Sequence, residues 1–298
     1  MTLEQLRVFV AVAERLHMTR AAEALGLTQP AASASIAALE ADVAIRLFDR
    51  VGRGLALTEA GRLLLPEARA VLARLGQAAQ VLDELAGLRR GHLALYASQT
   101  IAGYWLPARL HRFHAAWPGV SLSLAVGNTG QVAQAVLEGS AELGFVEGDV
   151  PDPLLARIPV AEDRLVLIAA PSFATDSLAP ADLAALPWVL REHGSGTRQV
   201  FESRLAELGL DPSRLTVALE LPSNESVRAA VEAGAGATVI SRLVAEARLA
   251  TGALVELPFA FPARRFTAIC HGDRRRSRAV TALLEMLRAE LPAEAART

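Results

Sequence analysis

The sequence predicts an all-α head with a short β-wing, a long linker helix, and a C-terminal α/β body in two lobes. Three observations predict this arrangement. Residues 19–50, TRAAEALGLTQPAASASIAALEADVAIRLFDR, read as two short helices joined at Gly26 and closed by an apolar corner. Residues 59–88 carry apolar side chains that step alternately by four and three, and beyond Gly91 strand-type and helix-type segments alternate.

In the head, Leu3, Leu6, Phe9, Val10 and Ala13 recur at helical spacing and supply a supporting helix. Ala21, Ala22 and Leu25 give the next helix a small apolar face; Gly26 allows a tight turn, and Leu27 plugs the angle between helices. Thr28 caps the third helix. Pro30 falls in its first turn, where the missing N–H costs nothing, and Ile36 and Leu39 bury on one side. The other face carries Gln29, Ser33 and Ser35. Small polar side chains near a helix N-terminus enter a major groove, and glutamine there pairs with adenine, so Thr28, Gln29, Pro30, Ser33 and Ser35 are DNA-binding candidates. Leu47–Arg50 then leads through Val51, Gly52, Arg53 and Gly54 into Leu55–Thr58, a strand–turn–strand pattern that makes a wing, with Arg50 and Arg53 as phosphate or minor-groove contacts. An ordinary three-helix bundle accounts for the helices, but leaves the Gly-Leu-Thr-Gln-Pro turn and the LFDR corner as coincidences.

The stretches AAEALGLTQPAAS, LE, LFDR and RGLALTEAGRLLLP together resemble the amino-terminal signature of LysR-type transcriptional regulators, and the resemblance extends over essentially the whole chain. Two positions depart from that pattern. Ala34 stands where the family often has a basic residue, which argues against a direct guanine contact, and Ala44 where it usually has glycine, which implies an altered wing entry.

Thr58 is a good N-cap for the long helix, expected to run to about Leu88. Leu64, Ala68, Val71, Leu75, Ala78, Leu82 and Leu85 form a heptad seam flanked by Glu67, Arg69, Arg74, Asp83 and Glu84. Packing on its own chain is the plainer alternative, but the narrow seam favours a dimer helix. A helix of roughly 30 residues spans about 45 Å and holds two reading heads apart. Pro66 bends its first turns and Gly76 weakens its middle.

Composition bounds the rest. A chain of 298 residues holds two or three domains, and its net charge of −2 means that DNA affinity must come from locally placed arginines and dimerisation. All 30 basic side chains are arginine. The absence of lysine removes Walker A loops, Schiff-base chemistry and catalytic lysines. No uncharged apolar stretch of about 18 residues occurs, and Glu4, Arg7, Glu14 and Arg15 spoil the N-terminus as a secretory signal, so a cytoplasmic location is expected. The lone Cys270 rules out an internal disulfide or multi-thiolate zinc site.

Past Arg89-Arg90-Gly91, strands are expected at 92–97, 120–126, 142–146, 165–170, 215–219, 238–241 and 266–269. Helices are expected at 101–117, 132–137, 197–208, 225–233 and 279–291. The alternation predicts parallel sheets in two lobes. The resemblance implies a periplasmic-binding-protein-like effector domain whose lobes exchange strands near 161–170 and 266–270, with a ligand between them. The expected domains are 1–58, 59–90 and 91–298, with lobe I at about 91–162 and 268–298 and lobe II at about 163–267.

Three helix starts carry hydroxyl and amide donors: Ser98-Gln99-Thr100, Ser195-Gly196-Thr197 and Ser223-Asn224. Unpaired N–H groups at such starts attract anions, and in doubly wound sheets these loops face a cleft. Any one loop alone is better read as a helix cap; three together point to a site. Arg198 is placed to add a bidentate contact, while Glu147 repels an anion unless it pairs with an arginine or donates a proton. The stretches ASQTIAGYWLP and LREHGSGTRQVFE resemble the anion-sensing branch of the family, which includes sulfur-assimilation and carbon-fixation activators. His193 and Ala102 depart from it. That resemblance implies a small anionic effector, sulfite or sulfate first, a phosphorylated metabolite or carboxylate second.

Enzyme chemistry finds little support. His193-Gly194-Ser195-Gly196 lacks the first glycine of a nucleophile elbow, Gly234-Ala235-Gly236 follows a helix rather than a strand, and His111 with His114 has no third ligand. The reading is a transcriptional regulator without cofactor or metal, whose partners are promoter DNA, a small anionic effector and further copies of itself, as a dimer through residues 59–88 and as a tetramer. A solute-binding protein shares the lobes but has no use for the first ninety residues.

Overall fold

The structure is a computed structural model describing residues 1–51, 54–85 and 91–290. Arg53, Arg89, Arg90, the helix end expected at Leu88 and the side chains of Leu82–Leu85 lie outside the described residues. The chain divides into two compact units, Met1–Leu85 with the turn Glu138–Ser140, and the remainder.

Helix α1 (Leu3–Arg15) opens with a capping box: Thr2 Oγ1 accepts the Gln5 N–H at 3.2 Å, and Gln5 Oε1 accepts the Thr2 N–H. Leu6, Phe9, Val12 and Ala13 bury, while Leu3, expected in the core, is 42 % exposed because it lies in the first turn, ahead of the buried face that begins at Leu6. After α2 (Met18–Ala24), Gly26 takes φ +67° and the Leu27 N–H donates to Ala22 O at 2.9 Å, closing the turn and laying Leu27 on the core. Leu25, expected on the apolar face, is partly exposed at the turn itself. Thr28 caps α3 (Gln29–Val43) through the Ala31 N–H, and Ala32, Ile36 and Leu39 bury.

Helix α3 ends on Ala44 at φ +52°, a left-handed position that glycine takes freely and alanine takes at a cost of about 1 kcal/mol. The wing entry keeps the glycine geometry without the glycine. Glu40 Oε1 accepts the N–H groups of Leu47 (2.7 Å) and Phe48 (3.2 Å), which pins the corner to α3. Strand β1 (Phe48–Val51) then pairs antiparallel with β2 (Gly54–Leu57), and the Phe48 ring rests 5.5 Å from Phe9. Thr58 Oγ1 accepts the Gly61 N–H at 3.0 Å at the start of α4 (Glu59–Leu85).

The first half of the expected seam is not free for a partner. Leu64, Leu65, Ala68 and Leu72 pack into the head core, because this part of α4 lies along α1. Val71 and Leu75 stay 44 % and 37 % exposed, so an uncommitted apolar edge begins only there.

The second unit runs β3 (Gly91–Ser98), a π-helical turn (Ile101–Trp105) leading into α5 (Leu106–Ala116), β4 (Val120–Gly127), α6 (Thr129–Glu138), β5 (Leu143–Val146) and β6 (Leu155–Asp163). It continues through β7 (Leu165–Ala169), β8 (Pro187–Arg191), α7 (Gly196–Glu207), β9 (Thr216–Leu221), α8 (Asn224–Glu232) and β10 (Ala237–Ser241). Helix α9 (Arg242–Ala250), β11 (Val255–Ala260), β12 (Arg264–His271) and α10 (Arg278–Arg288) complete it. One sheet has the order β4-β3-β5-β12-β6, the other β11-β7-β10-β8-β9.

Neither sheet is purely parallel, contrary to the sequence expectation. Strand β3 is parallel to β4 and β5, but β12 is antiparallel to β5 and β6; β8 is parallel to β9 and β10, but β7 is antiparallel to β10 and β11. The reversed strands are those that carry the chain between lobes without a crossover helix, and only parallel neighbours need such a crossover. The chain leaves the first sheet at Arg164 and returns over residues 261–263, so β12 joins lobe I from Arg264 rather than from residue 268. Both faces of each sheet are covered by buried apolar side chains. In the second lobe the tilted rings of Trp188 and Phe201 pack with centroids 4.5 Å apart on one face, and Val227, Val231 and Val244 fill the other. Full burial of a side chain such as Phe201 contributes about 3 kcal/mol. Cys270 is a core residue of the first lobe. Among the described residues, no helix is long and apolar enough to cross a membrane.

Candidate functional site

Two surfaces carry the expected functional residues. On the head, Thr28, Gln29 and Pro30 are exposed, with Gln29 Nε2 donating to Ser33 Oγ at 3.0 Å. Ser33 and Ser35, expected on one face, are both half-buried but flank the buried Ala32, Ile36 and Leu39 stripe on opposite sides, because residues two apart on a helix point about 160° away from each other. Ala34 is exposed among them, so this face presents amide and hydroxyl groups without charge. Arg50 is exposed on β1.

The second site lies where strand ends and helix starts of both lobes converge, as the winding of such sheets requires. Ser98 ends β3 and Thr100 follows it, Glu147 follows β5, Asp163 ends β6, Arg191 ends β8, Ser195 and Thr197 start α7, Asn224 starts α8, and Arg264 opens β12. Each is at most 6 % exposed. Arg191 lays Nε and Nη2 on the Glu192 carboxylate at 2.8 and 2.9 Å, and its Nη1 donates to Asn224 Oδ1 at 2.6 Å. Asn224 Nδ2 donates in turn to Thr100 Oγ1 at 3.0 Å. Arg264 gives Nε to Asp163 Oδ2 at 2.7 Å and Nη1 to Thr197 Oγ1 at 2.9 Å. Polar groups this deep are costly unless paired, and these bonds pair both guanidinium groups except at Arg264 Nη2.

Glu147 is the acid of the cluster that is hydrogen-bonded to a hydroxyl rather than to an arginine, accepting from Ser98 Oγ. Burial pushes its carboxyl above the ordinary carboxylate range, against the pull of Arg264, the Thr100 hydroxyl and Arg191. The same hydroxyls and guanidinium groups that would hold an anion therefore already face a carboxyl that burial holds toward its neutral form.

The structure gathers Ser98, Thr100, Glu147, Ser195, Gly196, Thr197 and Asn224 at this junction, sets Gln99 on the backbone of Asn224 and directs Arg198 away. Gln99 forms a clasp between lobes, its Oε1 accepting the Asn224 N–H at 3.0 Å and its Nε2 donating to Pro222 O at 2.8 Å. Arg198 turns away to Glu202, 2.7 Å from Nε, and to Glu220. Its charge is committed to those two carboxylates. Gly196 instead serves close approach: a Cβ there would lie 2.6 Å from Gly148 N, so the lobes meet glycine to glycine. Beside this contact a cavity of about 370 Å³ opens between Thr129, Gly130, the Asp149–Pro151 segment, Gly194 and Ser195, and Thr129 Oγ1 is buried with no hydrogen-bond partner among the described residues.

Sequence reasoning missed Arg191, Asp163 and Arg264, the charged frame of the cluster. Each stands at the end of a strand, and the available signal was an arginine closing the apolar run Trp188-Val189-Leu190.

A head that offers a helix to duplex DNA, joined to a two-lobed body with a charged polar cluster between its lobes, defines a ligand-responsive DNA-binding regulator. Residues 3–62 match the bacterial regulatory helix-turn-helix protein model of the lysR family, and residues 86–292 match the LysR substrate binding domain. The chain belongs to the LysR family of transcriptional regulators. It is 38 % identical over 288 residues to the HTH-type transcriptional regulator YeiE of Escherichia coli K12, covering 95 % of this chain and 96 % of that one. It is also 38 % identical over 256 residues to the regulator CbbR of Rhodospirillum rubrum, covering 86 % and 84 %. The fold matches full-length CbnR complexed with its target DNA at a TM-score of 0.70 and 23 % identity, over 97 % of this chain and 99 % of that one. The regulatory domain of Synechocystis CcmR in complex with 2-PG matches at 0.61 and 26 % identity, over 67 % of this chain and 97 % of that one. The protein is thus a DNA-binding transcriptional regulator with an effector-binding domain, not an enzyme.

Proposed function

We propose that this regulator answers to a small anionic effector held between the lobes by Ser98, Thr100, Thr197 and Asn224. The observation that carries the reading is that two helix starts, Thr197 and Asn224, each hold a buried arginine within hydrogen-bond distance, and the third, Thr100, is bonded to Asn224. Positive dipole ends and charge-assisted donors together favour an oxyanion such as sulfite or sulfate. A second reading, a phosphorylated metabolite, is supported by the 2-PG bound to CcmR. In both, Glu147 holds its proton when the anion enters, since two like charges in one buried site are costly.

On the head, Gln29, Ser33 and Ser35 read bases while Arg50 and Arg53 hold phosphate or the minor groove, and two copies pair through the exposed edge of α4 from Val71 onward. Anion occupancy biases lobe closure and through it the angle between the paired heads and the bending of promoter DNA. Isothermal titration of sulfite, sulfate and 2-PG into the wild type and a Thr100→Ala, Thr197→Ala double variant tests the site. The wild type is expected to bind at least one and the variant to lose that heat; equal heats from both overturn it.

A further inference from the structure

Asp163 and Arg264 occupy the two points at which the chain passes between the lobes: Asp163 is the last residue of β6 before the crossing at Arg164, and Arg264 is the first of β12 after the return. They are register partners in the sheet of lobe I, and both are buried. Lobe II holds each of them. Ser241, the last residue of β10, donates its Oγ to Asp163 Oδ1 at 2.6 Å, and Thr197 at the start of α7 accepts Arg264 Nη1. The pair is therefore bonded to both lobes at their hinge.

Arg264 is also unfinished. Its Nη2 lies 2.7 Å from Asp163 Oδ2 but off the direction of an N–H bond, and among the described residues it has no hydrogen-bond partner. A guanidinium nitrogen this deep, beside Thr197 and with Glu147 within its field, lacks the acceptor that an anion would bring.

We infer that Arg264 is an anion-binding residue whose tether to Asp163 carries occupancy of the cleft to the crossover segments. The inference rests on the anionic-effector reading. Asp163 competes with the incoming anion for the guanidinium; as the anion takes Nη2 and Nη1, the hold on Asp163 and Thr197 slackens and the hinge changes its set. Binding and response are then separable, because Asp163 opposes the first and transmits the second.

The test measures sulfite, sulfate and 2-PG affinity by calorimetry, and duplex-DNA affinity with and without each anion at constant ionic strength, for the full chain and three variants. Asp163→Asn is expected to tighten anion binding by about threefold or more, since a competing charge is gone. It should also cut the anion-dependent change in DNA affinity to under about twofold, where coupling in such systems commonly spans about 5- to 150-fold. Ser241→Ala, the gentler change, shifts both quantities in the same directions by less. Arg264→Lys keeps the charge but loses the fork, and weakens the anion about tenfold. A merely structural role weakens binding and response together in Asp163→Asn, which overturns the inference, as does full coupling in that variant or in Ser241→Ala at a wild-type melting temperature. No heat from the wild type with all three anions overturns the anionic-effector reading as well, whereas wild-type binding with unaltered coupling in the variants overturns the hinge tether alone.

Discussion

The reading face of α3 and the cluster between the lobes use the same side chains to opposite ends. Gln29, Ser33 and Ser35 sit at or near the surface, Gln29 donating to Ser33; Ser98, Thr100, Thr197 and Asn224 are buried, and the last three are tied to one another or to arginine. An exposed polar group keeps its hydration until a partner arrives, so its removal reaches binding and hardly touches stability. A buried one is spent on its neighbours, and a ligand must exchange bonds rather than add them. On the proposed roles, the head reads with uncharged groups that are still hydrated, and the effector domain senses through groups most of which are already bonded to one another.

The sharpest way to break this contrast is Arg191→Ala, which strands Glu192 and Asn224 without their buried cation. It should cost about 3–5 kcal/mol of stability in urea titrations, whereas a loss below about 1 kcal/mol would mark the cluster as no more than surface. Gln29→Ala belongs to the other region: melting should be unchanged while discrimination between target and scrambled duplex falls by about 1–3 kcal/mol. A drop in melting temperature with intact discrimination would reverse its assignment. Ala44→Gly relieves the left-handed end of α3 and should add about 1 kcal/mol in chemical denaturation. The smallest effect is a slope. Because burial raises the Glu147 carboxyl in the folded chain, stability falls as pH climbs from the ordinary value of 4.5 to the folded one and levels off above it; Glu147→Gln should remove that part of the fall. A variant whose stability–pH profile parallels the wild type would deny the buried carboxyl its proton.

The head was almost wholly legible because its signals are local. A capping threonine, a turn glycine and a phenylalanine corner each act within a few residues, and each stands where expected. Strands β6, β8 and β11 were not seen, since Pro159, Pro187 and Pro258 lie within them and proline argues against a strand from sequence alone. Without those strands the antiparallel crossings stayed hidden, and with them the residues that the crossings bring together. Thr100, Thr197 and Asn224 were readable as helix starts, a local property. Asp163 and Arg264 owe their importance to a partner 101 residues away and a sheet register that no local pattern records. Arg198 misled for the converse reason: a helix-start arginine looks available until Glu220, far along the chain, takes it.

Linkage between the two regions is what makes the proposed regulator respond to its effector. Duplex affinity of the full chain, measured against increasing sulfite, sulfate or 2-PG at fixed ionic strength so that counterion effects cancel, reads that linkage directly. The account predicts a saturable change of about fivefold or more at the anion concentration that saturates calorimetry, absent in the Thr100→Ala, Thr197→Ala variant. A duplex affinity that stays constant while calorimetry shows the cleft filled would contradict it.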